Sequence, residues 1–280
     1  MSRQRKGGWS WGPVEGAAIR VLSLGAGIQS TTLALMAAHG EIGPMPDVAI
    51  FADTGDEPAA VMDHLRFLRG DNVLPFPIDV VTAGRRLSDD LAGGVKAGPG
   101  RFAPIPFFTS GGGMGRRQCT REFKIEPINK RIRALLGYRP RQRIPVGAAE
   151  VWIGISTDEV VRAGASFDRW TVNRYPLLEQ RMSRSDCEIW LERHGYPVPP
   201  KSACVFCPYR TNAQWRDLRE RDPEAFEEAC RIDDLIRTSE RWDEKLFIHK
   251  TLMPLRSADI RSDEERGQGF LFECEGGCGL

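Results

Sequence analysis

Across residues 18–83 short apolar runs alternate with helix-patterned segments, and this alternation narrows the fold more than any other feature of the chain. "AIRVLSL" (18–24), "PDVAIFADTG" (46–55) and "FPIDVVTA" (76–83) read as buried strands. Between them, "QSTTLALMAAHGE" (29–41) carries small and apolar residues at helical spacing and ends near Gly40. "EPAAVMDHLRFLRG" (57–70) has Pro58 in its first turn, where a missing N–H costs nothing. Strands that alternate with helices predict an α/β fold built on a doubly wound, mostly parallel sheet. A length of 280 residues with 41% hydrophobic content suits one such domain plus an appendage.

The pattern continues with a helix over 126–137, a strand over 151–156, a helix over 183–195 with a Ser cap and a Gly stop, and a longer amphipathic helix over 222–242. Residues 92–118 interrupt it with a Gly/Pro-rich stretch that reads as a lid insertion. The expected organisation is a flexible N-terminus (1–17), an α/β domain (18–182) and a helical, cysteine-bearing C-terminal part (183–280). Net charge is +1, so the overall field points to no class of partner. No apolar run is long enough to span a bilayer and no signal peptide is read, so a cytoplasmic protein without membrane contact is expected.

At the first strand–helix junction, "GAGIQS" puts Gly25, Ala26 and Gly27 where the chain turns out of the sheet. In open parallel sheets ligands bind beyond the carboxyl ends of the strands. Small residues there let main-chain N–H groups approach an anion, and the new helix adds its positive end. Ser23, Gln29 and Ser30 supply further polar groups. The turn thus reads either as a phosphate or sulfate cradle or as a plain tight turn; it matches neither GxGxxG nor GxxxxGK[ST]. "FADTGDE" after the second strand brings Asp53, Thr54 and Gly55 to the same sheet edge. A carboxylate beside a phosphate handles Mg2+ or a ribose hydroxyl; the competing reading is a capping turn.

Together these stretches resemble the PP-loop superfamily of adenine-nucleotide α-hydrolase-like enzymes, and within it the phosphoadenosine phosphosulfate reductase family. "SLGAGIQ" approaches the S-x-S-x-G-I-Q of that branch through Ser23, Gly27, Ile28 and Gln29, and "DTG" belongs to it too. The likeness runs over residues 18–210, through "CTREFKIEPIN", "GISTDEVVRAG" (with Asp158, Glu159 and Arg162) and "YPLLEQRMSRSDCEIWLERHGYPVPP". It implies a Rossmann-like PP-loop domain that binds ATP or phosphoadenosine phosphosulfate. Gly25 and Gln29 depart from the SGGxDS of the ATP pyrophosphatases.

None of the 7 cysteines lies in the first 118 residues. "KSACVFCPYR" sets Cys204 and Cys207 in a C-x-x-C, the spacing that lets two thiolates hold one metal from a single turn. Family members with an iron–sulfur cluster carry Cys-Cys before the K-x-x-P helix; here Cys119 is followed by Thr120. The resemblance implies a 4Fe–4S cluster, with Zn2+ as the alternative, on Cys119, Cys204 and Cys207. Cys187 is the first choice for the remaining ligand and Cys274 or Cys278 the second. Cys230 reads as core. The tail "GCGL" resembles the family's nucleophile-bearing E-C-G-L-H, which makes Cys278 the nucleophile candidate.

Residues 116–143 hold ten Lys or Arg against Glu122 and Glu126. Such a block neutralises nucleotide phosphates or tracks a nucleic-acid backbone, unless it is a solvated helix face. Arg117, Lys124 and Arg162 are the cations expected to offset charge at the reacting group. Three functions follow. The first splits ATP to AMP and pyrophosphate to activate an acceptor, on tRNA or DNA, for sulfur or related group transfer with a sulfur donor. The second is a sulfonucleotide reductase that uses Cys278 and a thioredoxin-like reductant. The third is a nucleotide-binding module with a structural metal. A homodimer is an open expectation for each.

Overall fold

The computed structural model describes residues 6–92, 104–238, 243–261 and 265. The chain divides into two compact units, one of Met1–Asp90 with Gln118–Cys204, the other of Leu91–Arg117 with Val205–Leu280. The helix expected at 183–195 therefore belongs with the α/β unit.

The first unit is built on β1 (Gly8–Ser10), β2 (Ile19–Leu24), α1 (Ile28–Ala38), β3 (Val48–Asp53), α2 (Ala59–Leu68), β4 (Ile78–Thr82) and the N-terminal part of α3 (Leu87–Ala92). After the insertion come a π-helix (Thr120–Ile125), α4 (Glu126–Leu135), β6 (Ala149–Ile153), a 3-10 helix (Thr157–Arg162), β7 (Thr171–Arg174), α5 (Pro176–Glu179) and α6 (Arg184–Arg193). Six strands form one sheet in the order β1-β7-β6-β2-β3-β4, every pairing parallel. Alternate residues of each strand face opposite sides. Leu22, Leu24, Phe51 and Trp152 face a core closed by Leu33, Leu35, Val61, Leu65 and Leu191 of α1, α2 and α6. Val21, Ile50 and Val151 face Ile128 and Ile132 of α4. Helices thus cover both faces of a parallel sheet, the Rossmann-like doubly wound arrangement that the alternation predicts.

Two strands of this sheet carry no strand pattern in the sequence. β7 is short and polar, and β1 lies within the stretch read as flexible. Arg174 at the end of β7 is buried because Glu150 (3.2 Å) and Glu179 (2.8 Å) accept its guanidinium. The same carboxylates accept the N–H groups of Val14 (2.6 Å) and Gly12 (2.8 Å), which ties the N-terminal segment to the sheet. Trp9 packs edge-on to Tyr175, ring centroids 5.7 Å apart.

His64 of α2 is buried against α1, with Thr31 Oγ1 at 3.0 Å from its Nε2, and burial lowers its pKa to about 4. The folded chain therefore binds this proton less readily than the unfolded chain, so His64 supports the fold fully above the ordinary histidine range and loses that contribution as pH falls from about 6.5 toward 4. The expected loss is about 3 kcal/mol. Urea unfolding measured across that window should lose most of this slope in His64→Gln.

The second unit holds β5 (Phe108–Thr109), α7 (Asn212–Arg221), α8 (Pro223–Arg237) and β8 (Leu246–Phe247), with β5 and β8 antiparallel. Capping boxes at Ser183 and Thr211 start α6 and α7. Buried Asp233 of α8 accepts the N–H groups of Ile248 (2.8 Å) and Leu255 (2.9 Å) and so anchors the segment that follows. His249 is buried there between Thr251 (2.8 Å) and Asn212 (3.2 Å), a structural histidine. Among the described residues no helix is long and apolar enough to cross a membrane.

Candidate functional site

β2 pairs with β3 on one side and β6 on the other, and the crossover through α1 leads to β3. The carboxyl ends of β2 and β6 therefore open on a switch point of the sheet, the crevice where doubly wound folds bind ligands. The turn at residues 25–30 lies there. Ala26 takes a left-handed φ of 53° and is fully buried. A non-glycine residue in that region costs on the order of 1 kcal/mol, and such strain clusters at ligand clamps.

The hydrogen bonds of the turn separate its structural groups from its available ones. Ser30 Oγ accepts the Gly25 N–H (3.1 Å) and donates to the Gly27 carbonyl (3.2 Å), so this side chain holds the turn closed. The Thr31 N–H begins the helical ladder on the Gly27 carbonyl at 2.9 Å. Among the described residues, no acceptor meets the main-chain N–H of Ala26, Gly27, Ile28, Gln29 or Ser30. Four of these five residues are buried, and buried amides without a partner are rare. Successive amides turned to one side by a left-handed residue at a helix N-terminus form an anion-binding concavity.

Two close approaches fix this turn. A Cβ on Gly154, just after β6, would lie 3.0 Å from the Ser30 Cα and amide nitrogen. A Cβ on Gly27 would lie 2.3 Å from Ser202 Oγ and 3.1 Å from Ser202 Cβ. Ser23 sits half-buried on β2, in register between Ile50 and Ile153. Gln29 Nε2 lies 3.5 Å from the buried Ser156 Oγ, which donates to Asp158 at 3.1 Å.

At the end of β3, Asp53 accepts the Gly55 N–H at 2.7 Å. Gly55 has φ 79°, and a Cβ there would meet Arg86 Cγ at 2.7 Å. Buried Asp56 takes Ser88 N–H (2.8 Å), Ser88 Oγ (2.7 Å) and Arg86 (3.0 Å), which fixes the turn to the start of α3. Thr54 is buried and points toward sulfur: its Oγ1 donates to Glu57 Oε1 at 3.2 Å and lies 3.2 Å from Cys204 Sγ.

Glu57 and Lys124 centre this second cluster. The Glu57 side chain is 2% exposed, and its Oε1 accepts Lys124 Nζ at 3.3 Å, with Cys204 Sγ at 3.9 Å. Its Oε2 is buried and meets no hydrogen-bond partner among the described residues. Burial opposes the charge of Lys124, but the carboxylate of Glu57 and the negative charge of Cys204 and Cys119 overcome it and raise its pKa above the ordinary lysine value. Lys124 is therefore a fixed cation beside two thiols, which favours their thiolate forms. It projects from the π-helix, a wide turn that occurs frequently at functional sites. The sequence pointed to Lys124, Cys119 and Cys204 but not to Glu57, Ser202, Ser156 or Gly154. The only available hint was the carboxylate just before Pro58.

Other site candidates lie elsewhere. Cys187 is fully buried in the core with Leu33 and Leu191, and burial pushes its thiol up to about 12. Arg162 is exposed and pairs with Glu159 at 2.5 Å. Arg117, in the second unit, lies over the Tyr209 ring at 5.3 Å. Cys207 is half-buried, and its carbonyl accepts the Arg210 N–H at 3.2 Å. Cys230 is buried in α8, as expected of core. Cys274 and Cys278 lie outside the described residues. Of the basic stretch, Arg131 pairs with Asp79 (2.7 Å), Arg121 with Glu126 (2.8 Å), and Arg133 donates to the Gln142 carbonyl (2.6 Å). No protein-family model matches the chain, and no curated protein matches it.

Proposed function

We propose that the chain is a PP-loop-like enzyme that binds an adenine nucleotide through its phosphates at residues 25–30. The observation that carries this reading is the run of unpartnered amides at the switch point of a parallel sheet. In the favoured reaction the nucleotide is ATP. An acceptor oxygen attacks the α-phosphorus, a new O–P bond forms, the bond to the β-phosphate oxygen breaks and pyrophosphate leaves. The adenylated oxygen then departs as AMP when a sulfur or related nucleophile displaces it. The amides of Ala26, Gly27 and Gln29 donate to the charged phosphoryl oxygens, in a site whose donors need no reorganisation. Asp53 would hold Mg2+ or a ribose hydroxyl.

The thiols support an accompanying metal group, as the resemblance implies. Cys119 and Cys204 share the neighbourhood of Lys124, and the orphaned Glu57 oxygen faces no protein donor there. With Cys207, three residues on in sequence, they would supply three thiolates to a 4Fe–4S cluster, the last ligand coming from elsewhere; a single Zn2+ does not suit them, because their sulfurs do not all lie within 4.8 Å of one another. Cys187 stands apart from them, fully buried among Leu33 and Leu191 of the sheet core with its thiol beside Thr32. When bound, the cluster supplies redox-active, sulfur-ligated iron. Lys124 serves those thiolates rather than the nucleotide.

Protein purified without oxygen should be brown and hold iron, and Cys204→Ser should lose the colour while keeping nucleotide binding. Incubated with ATP and a nucleic-acid acceptor, the chain should release pyrophosphate. Sulfite release from phosphoadenosine phosphosulfate would instead establish the reductase. Nucleotide retention without either product would reduce the chain to a binding module.

A further inference from the structure

Two helix ends meet on the first unit, away from the residues discussed above. α1 terminates in His39 and α6 in His194, each the C-cap of its helix. Each is followed by a glycine with positive φ, Gly40 at 76° and Gly195 at 72°, which stops the helix sharply. The two helices pack together, and at their C-terminal ends the His39 and His194 rings lie 5.3 Å apart, centroid to centroid. Glu41 follows Gly40 into the same place. The ligand atoms of His39, Glu41 and His194 all lie within 4.8 Å of one another, the only His, Cys, Asp or Glu group of that kind among the described residues.

Each of the three has a further hydrogen-bond partner. His194 donates from Nδ1 to the Trp190 carbonyl at 2.8 Å, which leaves the lone pair of Nε2 toward Glu41 Oε1 at 3.8 Å. Glu41 accepts Trp190 Nε1–H on Oε2 at 3.0 Å, which leaves Oε1 to the centre. His39 Nε2 and the Tyr196 hydroxyl are 2.8 Å apart. Trp190 stacks on the His194 ring with centroids 4.0 Å apart. Outer partners of this kind orient metal ligands and set the imidazole tautomer. The electrostatics agree, because each helix C-terminus carries partial negative charge and Glu41 adds a carboxylate, so the field here favours a cation.

We propose that His39, Glu41 and His194 form a binding site for a late first-row divalent cation of the Zn2+ or Ni2+ class. Two imidazoles and one carboxylate suit such ions; Mg2+ and Ca2+ prefer all-oxygen shells. Three protein ligands leave a coordination position for water. The bound ion clamps the C-terminal ends of α1 and α6 together. This site is independent of the nucleotide and thiol proposal.

Ni2+ titrated calorimetrically into the full chain tests it. One binding event should weaken at least 100-fold in His39→Ala and in His194→Ala. Tyr196→Phe, which removes only an outer partner, should weaken it about 10-fold. The bound ion should quench Trp190 fluorescence, a signal that Trp190→Phe removes. Glu41→Gln keeps an acceptor for Trp190, so it should fold normally and still lose about 10-fold in affinity; it covers the case in which a histidine variant misfolds by circular dichroism. Ni2+ affinity equal to wild type in both the Glu41→Gln and His194→Ala chains would overturn the site. So would a bound-state spectrum dominated by sulfur-to-metal charge transfer, which would place the ion on cysteines.

Discussion

Gly27→Ala is expected to weaken ATP binding on the order of 100-fold while leaving the sheet folded. The added Cβ would lie 2.3 Å from Ser202 Oγ and 3.1 Å from Ser202 Cβ. The hydroxyl can rotate away, but the Cβ contact yields only if main chain moves on one side or the other. Either movement disturbs the amides that lead into α1. Losing two hydrogen bonds to a charged phosphate, at about 1.5–3 kcal/mol each, corresponds to 100-fold or more in affinity. Calorimetric titration with ATP measures the effect, and far-ultraviolet circular dichroism checks the fold. The double variant Gly27→Ala with Ser202→Gly removes both close contacts and should recover most of the lost affinity. If the single variant binds as wild type does, the turn is not where the phosphates sit.

Lys124→Met should destabilise the chain by about 3 kcal/mol. Breaking a buried ion pair from one side leaves the other charge uncompensated, and the Glu57 side chain is 2% exposed. Lys124 itself is 35% exposed, so water relieves part of the penalty and the lower end of the usual range applies. Combining Lys124→Met with Glu57→Gln removes the stranded charge and should restore most of the loss, which urea unfolding of the four chains measures. The lysine also favours the thiolates of Cys204 and Cys119. Alkylation of those thiols by iodoacetamide should therefore slow in Lys124→Met even under conditions where it remains folded. Unchanged stability and unchanged alkylation would remove Lys124 from the cluster.

What was legible in the sequence follows from range. The β2–α1–β3–α2–β4 succession was readable because each element declares itself through its own periodicity, and the placement of the "GAGIQS" turn follows from that succession. β7 escaped because it contains Asn173 and Arg174, and its burial depends on carboxylates 24 and 5 residues away. Glu57 escaped for the same reason, since its role depends on Lys124, 67 residues on. Cys187 looked like a ligand because a helical cysteine near a C-x-x-C carries no mark of what surrounds it. Only the packing of α6 on α1 assigns it to the core. In the sequence Ala26 is one small residue among three; its left-handed backbone is a property of the folded turn.

Ser202 abuts Gly27, and Cys204 comes two residues later beside Thr54 and Glu57. Two peptide steps reach about 7 Å at most. So short a tether keeps the serine against the turn and the sulfur beside Glu57 in one neighbourhood. If the proposed nucleotide fills the turn, the alkylation rate of Cys204 is the nearest chemical signal expected to change with it.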